Sequence, residues 1–318
     1  MSLALAIGLS LQAAPGNTRE SSSVSPAGEP TTKLDVAYKT VGDVTLRLDL
    51  HYPDCYRAEE RYPLVVFTHG GGWTTGSKTL GDRGVRFKGV RALTAEGFCV
   101  ASVSYRLWTK DGDIMIRDCV TDAKDALRFL ALNACELSLD PDRVFTVGDS
   151  AGGQIAQMLL LSPPDAFPGD QRLAGAKYTL IAGVSWYGPV DFENTDLFEV
   201  DGLKRTRDRF GVRILKPGTD PKIRIAAYRE VSPVNYLRKD SPPLLLIQGD
   251  KDTTIPVKHA YFLQERAKQL DASVEIVIVR NAGHNWRTES GELDPSFNEI
   301  VARTAIFIKK RLEQTASK

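Results

Sequence analysis

Histidine is scarce in this chain, with four residues in 318, at positions 51, 69, 259 and 284. Imidazole chemistry at neutral pH is therefore confined to four places. There is no H-E-x-x-H and no C-x-x-C spacing, so the sequence offers no metal site, and no cofactor is expected. The four cysteines, Cys55, Cys99, Cys119 and Cys135, define no disulfide framework. Cys119 and Cys135 flank one helical stretch at about 24 Å along its axis, too far apart to bridge, and Cys99 sits within a strand-like run as core filling. Excess charge is also missing: 41 Lys and Arg face 40 Asp and Glu, for a formal net charge of +1. No basic stripe interleaved with aromatics occurs, which argues against a nucleic-acid partner. No internal repeat and no heptad run is visible, so a solenoid or coiled coil is not expected.

Long apolar runs are lacking too. The run Leu3 to Leu11 is too short to span a bilayer, so no stable membrane insertion is expected. It is followed by Gln12-Ala13-Ala14 and a Ser/Pro/Gly-rich spacer up to Pro30, the pattern of a cleavable segment, although no Lys or Arg precedes it. Residues 1–30 therefore read as a signal segment and spacer, with a secreted or periplasmic location expected and a cytoplasmic one as the alternative.

What is present is a chain large enough for a substantial core. At 318 residues and 42% apolar content, one main domain over 31–318 is the simplest reading. Strand-like runs fall at Lys33–Lys39, Val44–Tyr52, Leu64–Thr68, Cys99–Ser104, Val144–Val147, Thr179–Trp186, Leu244–Gln248 and Val274–Arg280. Between two of them Ile116, Val120, Ala123, Leu127, Leu130 and Ala131 recur at helical spacing, marking a helix with one buried face. Such alternation predicts an α/β fold, a mostly parallel central sheet of about eight strands covered by helices. The first two strands have no helix between them and are expected to pair as an antiparallel hairpin at one edge. From 191 to 236 the alternation breaks. That stretch carries Arg205, Arg207, Asp208 and Arg209 close together and prolines at 217, 221 and 233, and it reads as a small cap or lid over the carboxyl edge of the sheet. Its charge cluster reads as a solvated face.

The chemistry is carried by four short stretches. Gly148-Asp149-Ser150-Ala151-Gly152 lies between a β-type run and a helical pattern. A serine there, flanked by glycines at a strand-to-helix turn, forms a nucleophile elbow. The helix that follows points its N-terminal N–H groups at it. His69-Gly70-Gly71-Gly72-Trp73 follows another strand, and its glycines can aim N–H groups at a carbonyl oxygen becoming an oxyanion. Gly71, Gly72 and Ala151 are the candidate donors. Asp250 and Asp252 both follow the run Leu244 to Ile247, where a carboxylate reaches the sheet's carboxyl edge. Finally, His284 follows the β-branched run Val274 to Val279. Ser150, Asp252 and His284 are the candidate nucleophile, acid and base. Asp252 is preferred because it sits deeper in its loop and can curl toward a histidine on the next one, whereas Asp250 at the strand end shapes the turn. His69 reads as holding the glycine loop by hydrogen bonds.

The joint occurrence of these motifs resembles the α/β-hydrolase superfamily, over nearly the whole chain from about residue 33. The chain order Ser, Asp, His is the superfamily's, and so is the spacing that favours Asp252. Within it, HGGGW followed by Gly76-Ser77-Lys78, with a GDKDTTIP acid loop, is similar to bacterial acetylxylan and feruloyl esterases. The resemblance to hormone-sensitive-lipase-like esterases is looser, because those carry a long N-terminal helical cap. The resemblance implies a serine carboxylesterase acting on small acyl or hydroxycinnamoyl esters, perhaps attached to plant polysaccharide. It implies that Trp73 flanks the substrate pocket, with Trp186 and Trp286 as further candidates. Two other readings share the fold: an arylformamidase, amidase or peptidase, whose families carry a similar HGG-x-W loop, and a non-catalytic binding protein. Oligomeric state is not legible.

Overall fold

The central strands are apolar along their whole length because a parallel sheet covered on both sides offers no solvent face. In β3 (Tyr62–Thr68), β4 (Cys99–Val103) and β7 (Leu244–Gly249) every residue is buried. Successive side chains still separate by face: Leu64 and Val66 join one core cluster, Val65 and Phe67 the other. The computed structural model describes residues 31–216 and 218–316. The segment read as signal and spacer, and Pro217, lie outside the described residues.

With β1 (Thr32–Val41), β2 (Val44–His51), β5 (Leu139–Asp149), β6 (Leu180–Trp186) and β8 (Val274–Val279), the sheet has eight strands in the order β1-β2-β4-β3-β5-β6-β7-β8. β1 pairs antiparallel with β2, and β2 with β4, while the other neighbouring pairs are parallel. This is the α/β-hydrolase fold, with the expected hairpin at its edge. One boundary differs. β5 begins five residues before the expected Val144, because Leu139 pairs with Tyr62 ahead of a register shift. Asp140-Pro141-Asp142 disguised that extension as a turn.

Helices α1 (Val85–Ala95) and α6 (Phe297–Ala316) cover one face, packing Val90, Leu93, Ile300 and Ile308 on β3, β5 and β6. On the other lie α2 (Ile116–Leu132), α3 (Ala151–Leu161) and α5 (Lys258–Leu270). The sequence predicts α2 with a single buried face, yet its polar residues Asp122, Lys124 and Asp125 are buried as well. Lys124 donates to the Ser162 and Pro163 carbonyls, and Lys39 of β1 accounts for the two aspartates: its Nζ lies 2.8 Å from Asp122 and 2.7 Å from Asp125. Arg106 Nε reaches Asp122 at 2.7 Å and Arg128 reaches Asp125 at 2.9 Å. Each buried carboxylate is thus matched by two cations, the condition under which burial of charge is tolerated.

The stretch 191–236 leaves the carboxyl end of β6 and holds only short turns and α4 (Pro221–Glu230). It is packed rather than draped: Phe192, Phe198, Phe210, Ile214 and Tyr228 are buried with Trp73 in the main core.

Candidate active site

Close backbone approach sets the elbow. A Cβ on Gly148 would meet the carbonyl oxygen of Gly152 at 2.2 Å, and one on Gly152 would meet that of Thr68 at 2.0 Å, so neither position admits a side chain. Ser150 between them takes φ 53°, ψ −120° as the residue preceding α3, a conformation rare for L-residues and found where the surrounding structure enforces it. Its N–H is held by the Trp186 carbonyl at 2.8 Å, and Thr68 Oγ1 donates to the Gly152 carbonyl at 2.7 Å. The strain fixes the Ser150 hydroxyl at the open end of the sheet.

His284 stands opposite, in the short turn His284–Trp286 after β8. Ser150 Oγ lies 2.9 Å from His284 Nε2, and His284 Nδ1 lies 2.7 Å from Asp252 Oδ2. The remaining capacity of Asp252 is taken up locally. Oδ1 accepts the N–H groups of Thr254 and Ile255 at 2.8 and 2.9 Å, and Oδ2 also accepts Gln248 Nε2 at 3.1 Å. Asp250 faces the other way and accepts the Ala282 N–H at 3.3 Å. The structure thus brings Ser150, His284 and Asp252 into one hydrogen-bonded line and leaves Asp250 outside it. Such a line can move a proton from hydroxyl to imidazole while the carboxylate fixes the ring tautomer.

The glycine loop is held from several sides. His69 Nδ1 bonds the Gly70 carbonyl at 2.8 Å, and Tyr105 stacks on its ring at 4.3 Å while donating to its carbonyl. The Gly70 N–H donates to Asp149 Oδ1 at 2.9 Å, and Arg86 Nε reaches the same oxygen at 3.0 Å. Burial pushes the Asp149 carboxyl up, and Arg86 is the largest opposing influence. Asp149 therefore ties the glycine loop to the elbow. Gly71 has φ +127°, and a Cβ there would meet the Thr75 carbonyl oxygen at 2.1 Å, so only glycine fits. Gly71 and Gly72 line the same cavity as Ser150 and His284. Ala151 opens α3, where an N–H has no partner within the helix.

That cavity measures about 460 Å³ and is walled further by Trp73, Arg205, Arg209, Phe210, Arg213 and Asn285. Trp73 is held by Nε1 on Gln154 at 3.2 Å and packs edge-on against Phe192 and Phe210. Trp186 and Trp286, the two further candidates, do not line it, which corrects the expectation that they contact substrate. Trp186 points to the opposite face of β6, where Nε1 donates to Thr304 Oγ1 of α6 at 2.9 Å. Trp286 packs edge-on against Trp186 and Tyr187. Tyr187 in turn meets the His284 ring at 4.8 Å, so Trp286 anchors the histidine turn from within while Trp186 and Tyr187 pack against it. A second cavity of about 480 Å³ beside β1, β2 and α1 contains none of these residues. Its size does not outweigh the missing chemistry. Among the described residues no group of three or more His, Cys, Asp or Glu is placed to hold a metal ion.

Several supports are invisible in the sequence pattern: Asp149, Gln154 and Gln248 each act through a neighbour brought close only by folding. For Asp149 a hint existed, since a carboxylate inside the elbow motif must be satisfied somewhere.

Burial holds two histidines neutral. His69 is lowered from 6.5 to about 4, and His259, whose Nδ1 accepts the Val190 N–H at 3.3 Å, from 6.5 to about 3. In the unfolded chain both take up a proton near their ordinary value. As pH falls from about 6.5 toward 4 the unfolded state thus binds more protons and the fold loses stability, on the order of a few kcal/mol per histidine. Denaturant midpoints should decline over that window, with a shallower decline in His259→Gln. An equal slope in the variant overturns the assignment.

The chain is similar to one family model and to several esterases. Residues 48–267 match the BD-FAE family model. Esterase LipC of Mycobacterium tuberculosis is 26% identical over 239 residues, covering 70% of this chain and 53% of that protein. The chain spans about half the length of the curated relatives it matches. Among solved structures, a truncated carbohydrate esterase from gut microbiota superposes with a TM-score of 0.69 at 20% identity, over 88% of this chain and 96% of that one. Thermogutta terrifontis esterase Est2 with propionate bound gives 0.60 at 26% identity, over 81% and 85%.

Proposed function

This chain belongs to the BD-FAE family, and from that premise we propose that it is a serine carboxylesterase, taking small acyl or hydroxycinnamoyl esters, including those carried on plant polysaccharide. The observation that carries this reading is the line Ser150 Oγ, His284, Asp252 at 2.9 and 2.7 Å opening into one cavity with Gly71 and Gly72. A hydroxyl is a weak nucleophile at neutral pH and needs a base within hydrogen-bond reach. His284 Nε2 takes the Ser150 proton as Oγ attacks the ester carbonyl, and Asp252 steadies the imidazolium. The N–H groups of Gly71, Gly72 and Ala151 receive the oxyanion. His284 returns the proton to the departing alcohol, leaving an acyl-serine. Water, deprotonated by the same histidine, then releases the acid and restores the hydroxyl.

A short acyl group is the reading we favour. Trp73 lies against Phe192 and Phe210, a packed aromatic wall, and the Thermogutta relative holds propionate. Acetate and butyrate esters are expected to show kcat/KM at least about tenfold above esters of roughly twelve carbons, since an acyl tail that finds no tunnel stays in water. A panel of aryl acetates, butyrates and laurates, methyl ferulate, acetylated xylan and N-formylkynurenine tests this. Faster laurate hydrolysis sinks the short-acyl reading. Formamide cleavage without ester cleavage sinks the esterase reading in favour of an arylformamidase.

Among the described residues no helix is long and apolar enough to cross a membrane. Export of the chain is part of this proposal and rests on the run Leu3 to Leu11 and the small residues after it.

A further inference from the structure

The wall that the 191–236 stretch gives the cavity is cationic and has no salt-bridge partner among the described residues. Arg205, Arg209 and Arg213 line it together with Ser150 and His284. Their guanidinium groups bond only backbone carbonyls: Arg205 that of Thr253 at 2.9 Å, Arg209 those of Phe198, Thr253 and Thr254, and Arg213 that of Gly72 at 3.0 Å. None of the three is in a salt bridge among the described residues. The Nε atoms of Arg209 and Arg213 are buried with no acceptor at all. The charge of Asp252 is felt at Arg209, but its oxygens are already engaged by His284, Gln248 and two backbone N–H groups.

The same short run shows what ordinary surface arginines do here. Arg207 pairs with Asp196 at 2.6 Å and Glu199 at 2.7 Å, and Asp208 pairs with Arg224 and Tyr228. The cluster that reads in sequence as one solvated face therefore splits. Arg207 and Asp208 are each neutralised by their own partners on the outside, while Arg205 and Arg209 are turned to the cavity. Placement is fixed further by aromatic faces, with the Arg209 guanidinium 5.3 Å from the Phe198 ring and that of Arg213 5.3 Å from the Phe210 ring. The Arg209 and Arg213 guanidinium groups are partly dehydrated, the charge of Arg205 is felt at Arg209, and none of the three is matched by a salt bridge. Such an arrangement is costly unless an anion completes it.

We propose that the ester this enzyme takes carries a carboxylate, which Arg205, Arg209 and Arg213 receive while Ser150 attacks the ester carbonyl. The proposal rests on the serine esterase reading and narrows its substrate class to acidic esters, such as acyl esters of a uronic acid or half-esters of a dicarboxylic acid. Guanidinium groups suit this task because their fork of donors matches a planar carboxylate. The two sources of the charge, the alcohol part and the acyl part, are separated by the choice of probe.

The test compares 4-acetoxybenzoate with 4-acetoxybenzamide, and mono-4-nitrophenyl glutarate with 4-nitrophenyl valerate, in the intact chain. In at least one pair the anionic ester should have the higher kcat/KM, by about tenfold. That advantage should shrink as ionic strength rises from about 0.01 to 0.5 M, because screening weakens a partly exposed attraction. Arg205 is exposed and makes one backbone bond, so Arg205→Gln is the variant least prone to disturb folding. It should lose several-fold more on the anionic ester than on the neutral one, and Arg205→Lys should recover part of that difference. Ester hydrolysis with no preference for charge in either pair overturns the anion site and leaves the esterase standing. Calorimetric titration of Ser150→Ala with benzoate and with glutarate gives the independent readout. Where no ester is turned over, binding there, weakened in the double variant with Arg205→Gln, supports the site, and absence of binding rejects it.

Discussion

Ser150→Ala is expected to lower kcat on 4-nitrophenyl acetate by on the order of 10⁵, because the covalent route disappears with the hydroxyl while the binding surface stays. Folding should survive. The elbow depends on the close approach of Gly148 and Gly152 to their neighbours and on the Ser150 N–H bound to Trp186, none of which uses Oγ. Alanine meets the same strain at φ 53° that serine does, so the substitution adds no new backbone cost. The only side-chain bond lost is the one to His284 at 2.9 Å, at a part-exposed site where water can replace it. Thermal unfolding should therefore fall within a few degrees of the wild type. A purified, folded variant that retains more than about a tenth of the turnover excludes the serine route.

How far the chain could be read in advance depended on whether the signal was local. β3, β4 and β7 stood out because strands buried on both faces leave runs of Val, Ile and Leu. The elbow and the glycine loop stood out because close backbone contacts permit only glycine, as at Gly71 and Gly152. Three features resisted for one common reason, that a partner distant in sequence decides them. The polar side of α2 reads as solvent-facing until Lys39, more than 80 residues away, is found against Asp122. Trp186 reads as a pocket residue because it ends a strand at the right edge. Strand alternation then turns its ring toward Thr304 instead. The arginines of the 191–236 stretch look alike in sequence, and only the positions of Asp196 and Glu199 separate Arg207 from Arg205 and Arg209.

The second large effect distinguishes two acids that stand two residues apart. Asp252→Asn should cut kcat by about 10³ to 10⁴, because His284 loses the carboxylate that selects its tautomer and balances the imidazolium. An amide at this position also meets its neighbours badly. Oδ1 of Asp252 accepts two backbone N–H groups, and Oδ2 accepts His284 Nδ1 and Gln248 Nε2, so the site presents donors to both oxygens. The Asn NH₂ must face at least one donor, and either Thr254 and Ile255 or His284 and Gln248 go unsatisfied. KM should change little, since Asp252 does not line the cavity. Asp250→Asn touches a different bond, the Ala282 N–H at 3.3 Å, which the amide oxygen can still accept. Its kcat should stay within about threefold of wild type, with any loss appearing in stability at roughly 1 kcal/mol or less. Both variants assayed side by side, with unfolding midpoints, decide the matter. An inactive Asp250→Asn beside a near-normal Asp252→Asn would reverse the roles of the two acids and break the line from Ser150 through His284.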